Sequence, residues 1–591
     1  MSDYIAPLKD INFVLNELAG LDRLCQLPRF EDVSVDVVAA VLEECGKFAS
    51  GVLAPLNTFG DQNGAVCVDN AVQETAGFAD AYRQFVEGGW VSLPGNPEYG
   101  GMGLPECVAI ATMEMATTAN LSFSLCPMLG QGAIEAIESH ASDALKDIYL
   151  GKLISGEWTG TMNLTEPQAG SDLAAVRTRA VPEGDHYRIS GTKIFITWGD
   201  HQMTDNIVHL VLARTPDAPE GVKGISLFVV PKFLVNDDGS LGARNDAYAV
   251  SVEHKLGIHA SPTCVMSYGD NDGAIGYLVG EENKGLAYMF TMMNHARLNV
   301  GVQGVSVSER AYQHAVSYAK ERVQGATPGD SGKTTIIRHP DVRRMLMQMR
   351  ALTEASRALC YVSMAAFDVV HHGTTEEQRD AARGRGELLT PLAKGWSTEI
   401  AQEVTSLGVQ VHGGMGFIEE TGAAQYFRDA RITSIYEGTT AIQANDLVGR
   451  KFLRDGGLQL QHLLADMRET GQALAARDGR LQLMGCELET AIVELEKLAD
   501  FILGAYQDDV RLPGAVSFNF LMAAGTAVGG WLLARSAQVA DSKLAEDELF
   551  YGAKIATAHF YAEQILPRVA AHVKAALGGS AAIMGLTDEQ F

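Results

Sequence analysis

Between Trp158 and Tyr277 the sequence changes its period. On both sides apolar residues recur at helical spacing. Inside, they form short β-type runs: His186–Ile189, Lys193–Thr197, Ile207–Ala213 and Ile225–Val230. Turn clusters at Glu183-Gly184-Asp185 and Pro216–Gly221 separate them. A pattern of period 3.6 does not serve as a strand, nor one of period 2 as a helix, so the block order constrains the fold class. The expectation is an α+β multidomain chain. It has an N-terminal helical domain over 1–158, a central antiparallel β domain over 159–277, a helical bundle over 278–455 and an additional C-terminal helical domain over 456–591.

Within the helical blocks, Val38, Val41, Leu42, Cys45, Phe48, Ala49 and Val52 share one stripe, which Pro55 is expected to stop. The glycine-rich turn Pro97–Gly103 precedes a helical pattern over Ala109–Thr118. Val342, Met345, Leu346, Met349 and Leu352 form the core stripe of a long helix opened by Pro340-Asp341. A second helical stretch is expected to open at Thr390-Pro391 and run to about Leu447, broken by a glycine turn at His412–Gly416.

Lys and Arg number 46 against 73 Asp and Glu, a formal charge of −27. That field disfavours a general nucleic-acid binder, and it requires locally placed donors for any anionic ligand. The eight cysteines are scattered without a CxxC pair, so reduced structural thiols are expected rather than a metal site or a disulfide framework. No basic start leads into an apolar run, and no uninterrupted apolar stretch approaches the ~20 residues that span a bilayer. The expectation is a cytoplasmic protein without a membrane span.

Three segments carry possible chemistry. Met162–Asp172 places hydroxyl residues and a glycine around a Pro turn, suited to close approach of an anionic or heteroaromatic ligand, or else a plain surface turn. In Gly191–Thr197, a strand entered from a Gly turn, alternation sends Lys193, Phe195 and Thr197 to one face, which could meet a flavin ring or simply solvent. In Ile435–Gln443, Glu437 stands among apolar and small residues as a carboxylate base with a raised pKa or as a helix-start acid.

With these segments in order, and with Gln410-Val411-His412-Gly413-Gly414-Met415-Gly416-Phe417 between the last two, the sequence resembles the acyl-CoA dehydrogenase family over residues 30 to 450. The resemblance implies FAD-dependent α,β-dehydrogenation of an acyl-CoA thioester to the trans-2-enoyl-CoA, with Glu437 as the α-proton base and flavin N5 as hydride acceptor. It implies that Met162, Leu164, Thr165, Gly170, Ser171, Phe195, Thr197 and Thr439 hold FAD between the β domain and the bundle. Phe195 stands where many relatives have Trp, and Ala441 where they often have Gln. Arg322, Gln324, Gln410, Gly413 and Gly414 are similar to residues that reach the adenine and phosphates across a subunit interface. Ser171, Asn294, Arg297 and Gly438 are implied to bind substrate. Some relatives place their base just before the residue matched by Arg297; here Ala296 and His295 precede it, so Glu437 is the single matching base. Electron-transferring flavoprotein is the implied acceptor.

The N-terminal run Tyr4–Leu15 and the length of 591 residues resemble a longer bacterial branch. That branch includes 3-methylmercaptopropionyl-CoA dehydrogenases and enzymes for ordinary medium or long acyl chains. Its additional domain implies a homodimer, with membrane attachment as an alternative role. An acyl-CoA oxidase that uses oxygen and a non-catalytic flavin or acyl-CoA binding protein are the competing functions.

Overall fold

The computed structural model describes residues 4–329 and 331–591. They form two compact units: Glu43–Leu104 with Met115–Ala296, and Met1–Leu42 with Pro105–Glu114 and Arg297–Phe591.

All the strands among the described residues lie in the first unit. β1 (Val66–Val68) and β2 (Ala71–Gln73) make a hairpin whose turn residues Asp69 and Asn70 both have positive φ, the pairing that matches strand twist. An eight-stranded sheet comprises β3 (Thr159–Asn163), β4 (Arg179–Glu183), β5 (His186–Thr197), β6 (Ile207–Ala213), β7 (Ser226–Pro231), β10 (Ala247–Val252), β11 (Thr263–Tyr268) and β12 (Ala274–Leu278). β8 (Phe233–Val235) and β9 (Leu241–Arg244) pair separately. The order is β10-β11-β5-β12-β7-β6-β3, with β4 beside β5. The sheet is not wholly antiparallel, because β3 runs parallel to β6. β6 is buried along its whole length. Val208, Leu210 and Leu212 meet Ile134 and Ile137 of the helix Leu121–His140 in one core, while Val211 and Ala213 join Ile189, Phe228 and Met266 in another. Period-2 alternation thus supplies two cores from one strand.

Three sequence expectations are corrected here. Residues 186–189 and 193–197 are one twelve-residue strand, β5, that passes through Gly191 without a turn. Pro55 opens the helix Ala54–Asn63 instead of only closing the preceding one, because the first helical turn has no use for the missing N–H. Thr390-Pro391 lies inside the helix Glu376–His412. The true start is Thr375, whose hydroxyl accepts from Gln378 N at 3.2 Å.

The second unit is helical. The helices Gly285–Glu321 (from Arg297), Pro340–His372 and Glu376–His412 form the bundle, and the short helices Ala423–Ala430 and Thr440–Asn445 complete it. Gly301 and Gly304 let the first of these lie against the third: a Cβ at either would stand 2.7 and 2.8 Å from the carbonyls of Ala393 and Ser397. The C-terminal helices Leu458–Ala475, Gly479–Ala505, Leu512–Ser542, Glu548–Gln564 and Arg568–Ala576 belong to the same unit. Among the described residues one helix, Leu512–Ser542, is long and apolar enough to cross a membrane, and 83% of its apolar window is buried inside the protein. Its Thr526 hydroxyl takes the indole N–H of Trp396 at 3.2 Å.

Candidate active site

The turn Tyr436–Thr439 carries Glu437, the candidate base. Glu437 and Gly438 both have positive φ, 53° and 90°, and Thr439 caps the next helix by accepting from Ile442 N at 3.2 Å. The peptide N–H of Glu437 finds no acceptor among the described residues. Three neighbours fix the turn. Lys394 Nζ donates to Gly438 O at 2.7 Å, Gln443 Nε2 donates to Glu437 O at 3.3 Å, and the Tyr436 hydroxyl donates to Gln303 Oε1. Glycine suits 438, because φ 90° strains any side chain and a Cβ would stand 2.6 Å from Gln443 Nε2, which would have to move.

The electrostatics suit a base. Glu437 is half-buried, and desolvation pushes its carboxyl above the usual carboxylate range against the lowering pull of Lys394 and Arg297. Desolvation also lowers Lys394 to about 7, with Glu437 working the other way. Arg297, 5% exposed, is committed to Asp446 at 2.8 Å, and its Nε has no partner among the described residues. Burial lowers its pKa, opposed by Asp446. Asp446 takes a second guanidinium, Arg450, at 2.6 Å.

The same unit contains a cavity of about 620 Å³ lined by Tyr318, Arg322, Gln324, His339, His412 and the Gly413–Met415 turn. The Nε2 of His412 is buried there without a partner among the described residues, while Nδ1 is bonded to Gly408 O at 2.7 Å. Gln410 is exposed and lies outside the lining.

In the other unit, Met162, Leu164, Thr165 and Thr197 are half-buried at the ends of β3 and β5, and Gly170 and Ser171 are exposed. Glu166 pins this turn. It accepts from Lys193 Nζ at 2.8 Å, from the Thr178 hydroxyl at 2.6 Å and from the N–H of Arg177 at 2.7 Å. Burial pushes its carboxyl up, but Lys193 and these donors outweigh that and hold it at about 2. The expected common face of Lys193, Phe195 and Thr197 does not form. Cys264 pairs with Ile196 and Met266 with Lys193, so β5 carries an extra residue, and Phe195 adopts φ 61°. This bulge buries Lys193 completely and turns the Phe195 ring out, 59% exposed. Asn294 also belongs to this unit and is half-buried.

Four family profiles cover nearly the whole chain. They are the acyl-CoA dehydrogenase N-terminal domain over 40–157, middle domain over 161–270 and C-terminal domain over 283–452, and the acetyl-CoA dehydrogenase C-terminal-like domain over 463–587. The chain belongs to the acyl-CoA dehydrogenase family. It is 52% identical, over 95% of its length and 96% of the relative's, to the 3-methylmercaptopropionyl-CoA dehydrogenase of Ruegeria pomeroyi. It is 36% identical to a broad-specificity linear acyl-CoA dehydrogenase of Mycobacterium tuberculosis, over 96% of each. A structure of an acyl-CoA dehydrogenase complexed with FAD from Bacillus anthracis superposes with a TM-score of 0.76 over 96% of this chain and 91% of that one, at 22% identity.

An acyl-CoA dehydrogenase uses FAD, and the residues present fit it. The outward Phe195 ring offers a face to a flat heteroaromatic. The cavity with Arg322, Gln324 and an unpartnered His412 nitrogen offers donors to an anionic, nucleotide-like group. The sequence reading missed Lys394, Gln303, Gln443 and Asp446. Lys394 alone carried a signal, a lysine between Leu392-Ala393 and Trp396 on an otherwise apolar helix face.

Proposed function

We propose that Glu437 removes the α-proton of an acyl-CoA thioester to give the trans-2-enoyl-CoA. The observation that carries this reading is the half-buried carboxylate with a raised pKa, set on a strained turn between two cations. A carboxylate in water is too weak a base for such a proton, and desolvation makes it a stronger one. The adjacent Glu437 N–H, which has no acceptor among the described residues, is placed to donate to the thioester carbonyl as negative charge develops. One preorganised donor of this kind contributes ~3–4 kcal/mol. Bound FAD supplies the acceptor for the β-hydride. Leu164, Thr165, Phe195 and Thr197 would hold its ring system, and Met162, Gly170, Ser171 and Thr439 are assigned to the same cofactor. Arg322, Gln324, Gln410, Gly413 and Gly414 serve its phosphates and adenine, and Ser171, Asn294, Arg297 and Gly438 serve the substrate.

The acyl group we propose is 3-methylmercaptopropionyl, supported by the 52% identity to a relative of that name. Linear acyl chains are the second reading, supported by the relative from Mycobacterium tuberculosis. We infer a cytoplasmic homodimer that passes its electrons to electron-transferring flavoprotein. The eight free thiols and the family resemblance support this, and the exposed Phe417 beside the glycine turn suits a subunit contact. The four segments 1–158, 159–277, 278–455 and 456–591 remain our functional division.

The test is anaerobic bleaching of the bound flavin by a panel of acyl-CoAs, 3-methylmercaptopropionyl-CoA included. Wild type should bleach rapidly, fastest with the true substrate, and Glu437→Gln at least ~10³-fold more slowly, within the range of a lost general base. A mutant that bleaches as fast as wild type overturns the assignment. Oxygen consumption by the reduced enzyme would assign it as an oxidase.

A further inference from the structure

Lys394 sits on the helix Glu376–His412 with Leu392, Ala393 and Trp396, and no part of it reaches solvent. Taking an ammonium out of water costs several kcal/mol unless charge and hydrogen bonds compensate. Among the described residues its ammonium donates to Gly438 O at 2.7 Å, the carbonyl next to the base. The charged groups facing it are Glu437 from the turn, Arg297 from the helix Gly285–Glu321 and Glu399 from its own helix. The helix Leu512–Ser542 packs against the same helix, with Leu521 at Gly395, and carries no charged residue between Leu512 and Ala534.

Two of those three are already engaged. Arg297 is bound to Asp446 at 2.8 Å, and Glu399 takes the Thr440 hydroxyl at 2.5 Å. Glu437 has no hydrogen-bonded side-chain partner among the described residues, and it feels the positive charge of Lys394 first and of Arg297 second, with Glu399 a further carboxylate near Lys394. We propose that Lys394 is the positioning residue of the proton-abstraction step: its ammonium pins the Gly438 carbonyl, which fixes the turn that aims Glu437, and supplies the positive charge beside which that carboxylate stays ionised. This rests on the function proposed above for Glu437. In the step itself the proton passes from the thioester α-carbon to a Glu437 oxygen, and the electron pair stays on the substrate. Lys394 does not take that proton.

The two roles separate by substitution in the FAD-loaded enzyme. Lys394→Gln removes the charge and keeps an N–H donor for Gly438 O. Lys394→Met removes both and matches the volume, so the core stays filled. Two quantities are read against pH. One is the rate of anaerobic flavin bleaching by a single thioester. The other is the ionisation of Glu437, followed as the infrared carbonyl band that Glu437→Gln lacks. Both variants should move the Glu437 midpoint upward by about one pH unit or more, the effect of removing a nearby opposite charge. Above its new midpoint Lys394→Gln should recover to within a few-fold of wild type. Lys394→Met should stay at least tenfold slower at every pH, because the turn is no longer held. An unmoved midpoint in both variants overturns the proposal and leaves Lys394 as packing alone. Failure of the functional reading looks different: wild type itself is not bleached by any thioester, or Glu437→Gln is bleached as fast. The infrared midpoints decide the pairing of Lys394 with Glu437 in either case.

Discussion

Gly438 ties the proposed base to the backbone conformation. Its φ of 90° is a conformation side chains resist, and Gln443 fills the space a Cβ would take. Gly438→Ala should therefore force Gln443 off the Glu437 carbonyl, destabilise the protein by ~1–3 kcal/mol and slow flavin bleaching at least tenfold at saturating thioester. A bleaching rate equal to wild type would show that the turn tolerates the shift. The unusual setting of Glu437 was legible because a lone acid among small and apolar residues is uncommon, and because four ordered segments gave it a context. Lys394 could be noticed as a lysine on an apolar helix face, but its place at the turn could not, since the two are far apart in sequence and meet only in the fold. Phe195 was legible as an aromatic residue but not in its direction. The bulge in β5 is set by pairing with β11, and local alternation holds no record of it.

At the scale of elements, a buried charge network stitches five helices of the second unit. Arg357, 1% exposed on Pro340–His372, donates to Glu114 at 2.7 Å, to Glu309 at 2.8 Å and to Asp10 of the helix Leu8–Phe13. The Tyr361 hydroxyl also reaches Glu114 at 2.8 Å, and Lys554 of the helix Glu548–Gln564 bridges Asp10 and Glu354. The C-terminal extension is thus tied to the N-terminal helix and the bundle core by charge as well as by apolar packing. Removing one member strands the others in low dielectric. Arg357→Met should lower the urea unfolding free energy by ~3–5 kcal/mol while leaving the fold's secondary structure intact at neutral pH. A loss below ~1 kcal/mol would mean that water compensates the stranded carboxylates. None of this network was legible, because each member reads as an ordinary helix-surface charge until distant helices converge. The Met345–Leu352 stripe was legible, because its period alone marks the buried face.

For the whole molecule, the switch of period at either end of the β block was enough to give the order of elements, and the division into two compact units was not. The inserted strands draw in helices from both sides of the sequence, so units do not follow chain order. The two units also differ in what acid does to them. His201 and His209, fully buried in the β-containing unit and bonded to the hydroxyls of Thr159 and Thr161, are pushed by desolvation down to about 3. Unfolded, each takes a proton near its ordinary value of ~6.5, so the stability they allow is lost as pH falls from there toward 3. At pH 5 the loss is about 2 kcal/mol for each. Glu166, held at about 2, adds to it once the pH drops below its unfolded value. The helical unit has His314, also at about 3, and His372 at about 4, with His412 and His572 lowered by burial as well. It also has an opposing group: buried Asp368, which accepts the N–H groups of Glu106 and Cys107, is raised to about 7 by desolvation. A carboxyl raised above its unfolded pKa gains relative stability as pH falls from 7 toward 4, so it offsets part of these histidines' loss. On acidification from pH 7 to pH 5, amide exchange should therefore accelerate first in β3 and β6 and only later in the helices Pro340–His372 and Glu376–His412. His209→Gln should flatten the pH dependence of the first phase, and Asp368→Asn should steepen that of the second. Simultaneous exchange in both units at pH 5 would show that they unfold as one cooperative body, with the buried histidines destabilising the whole.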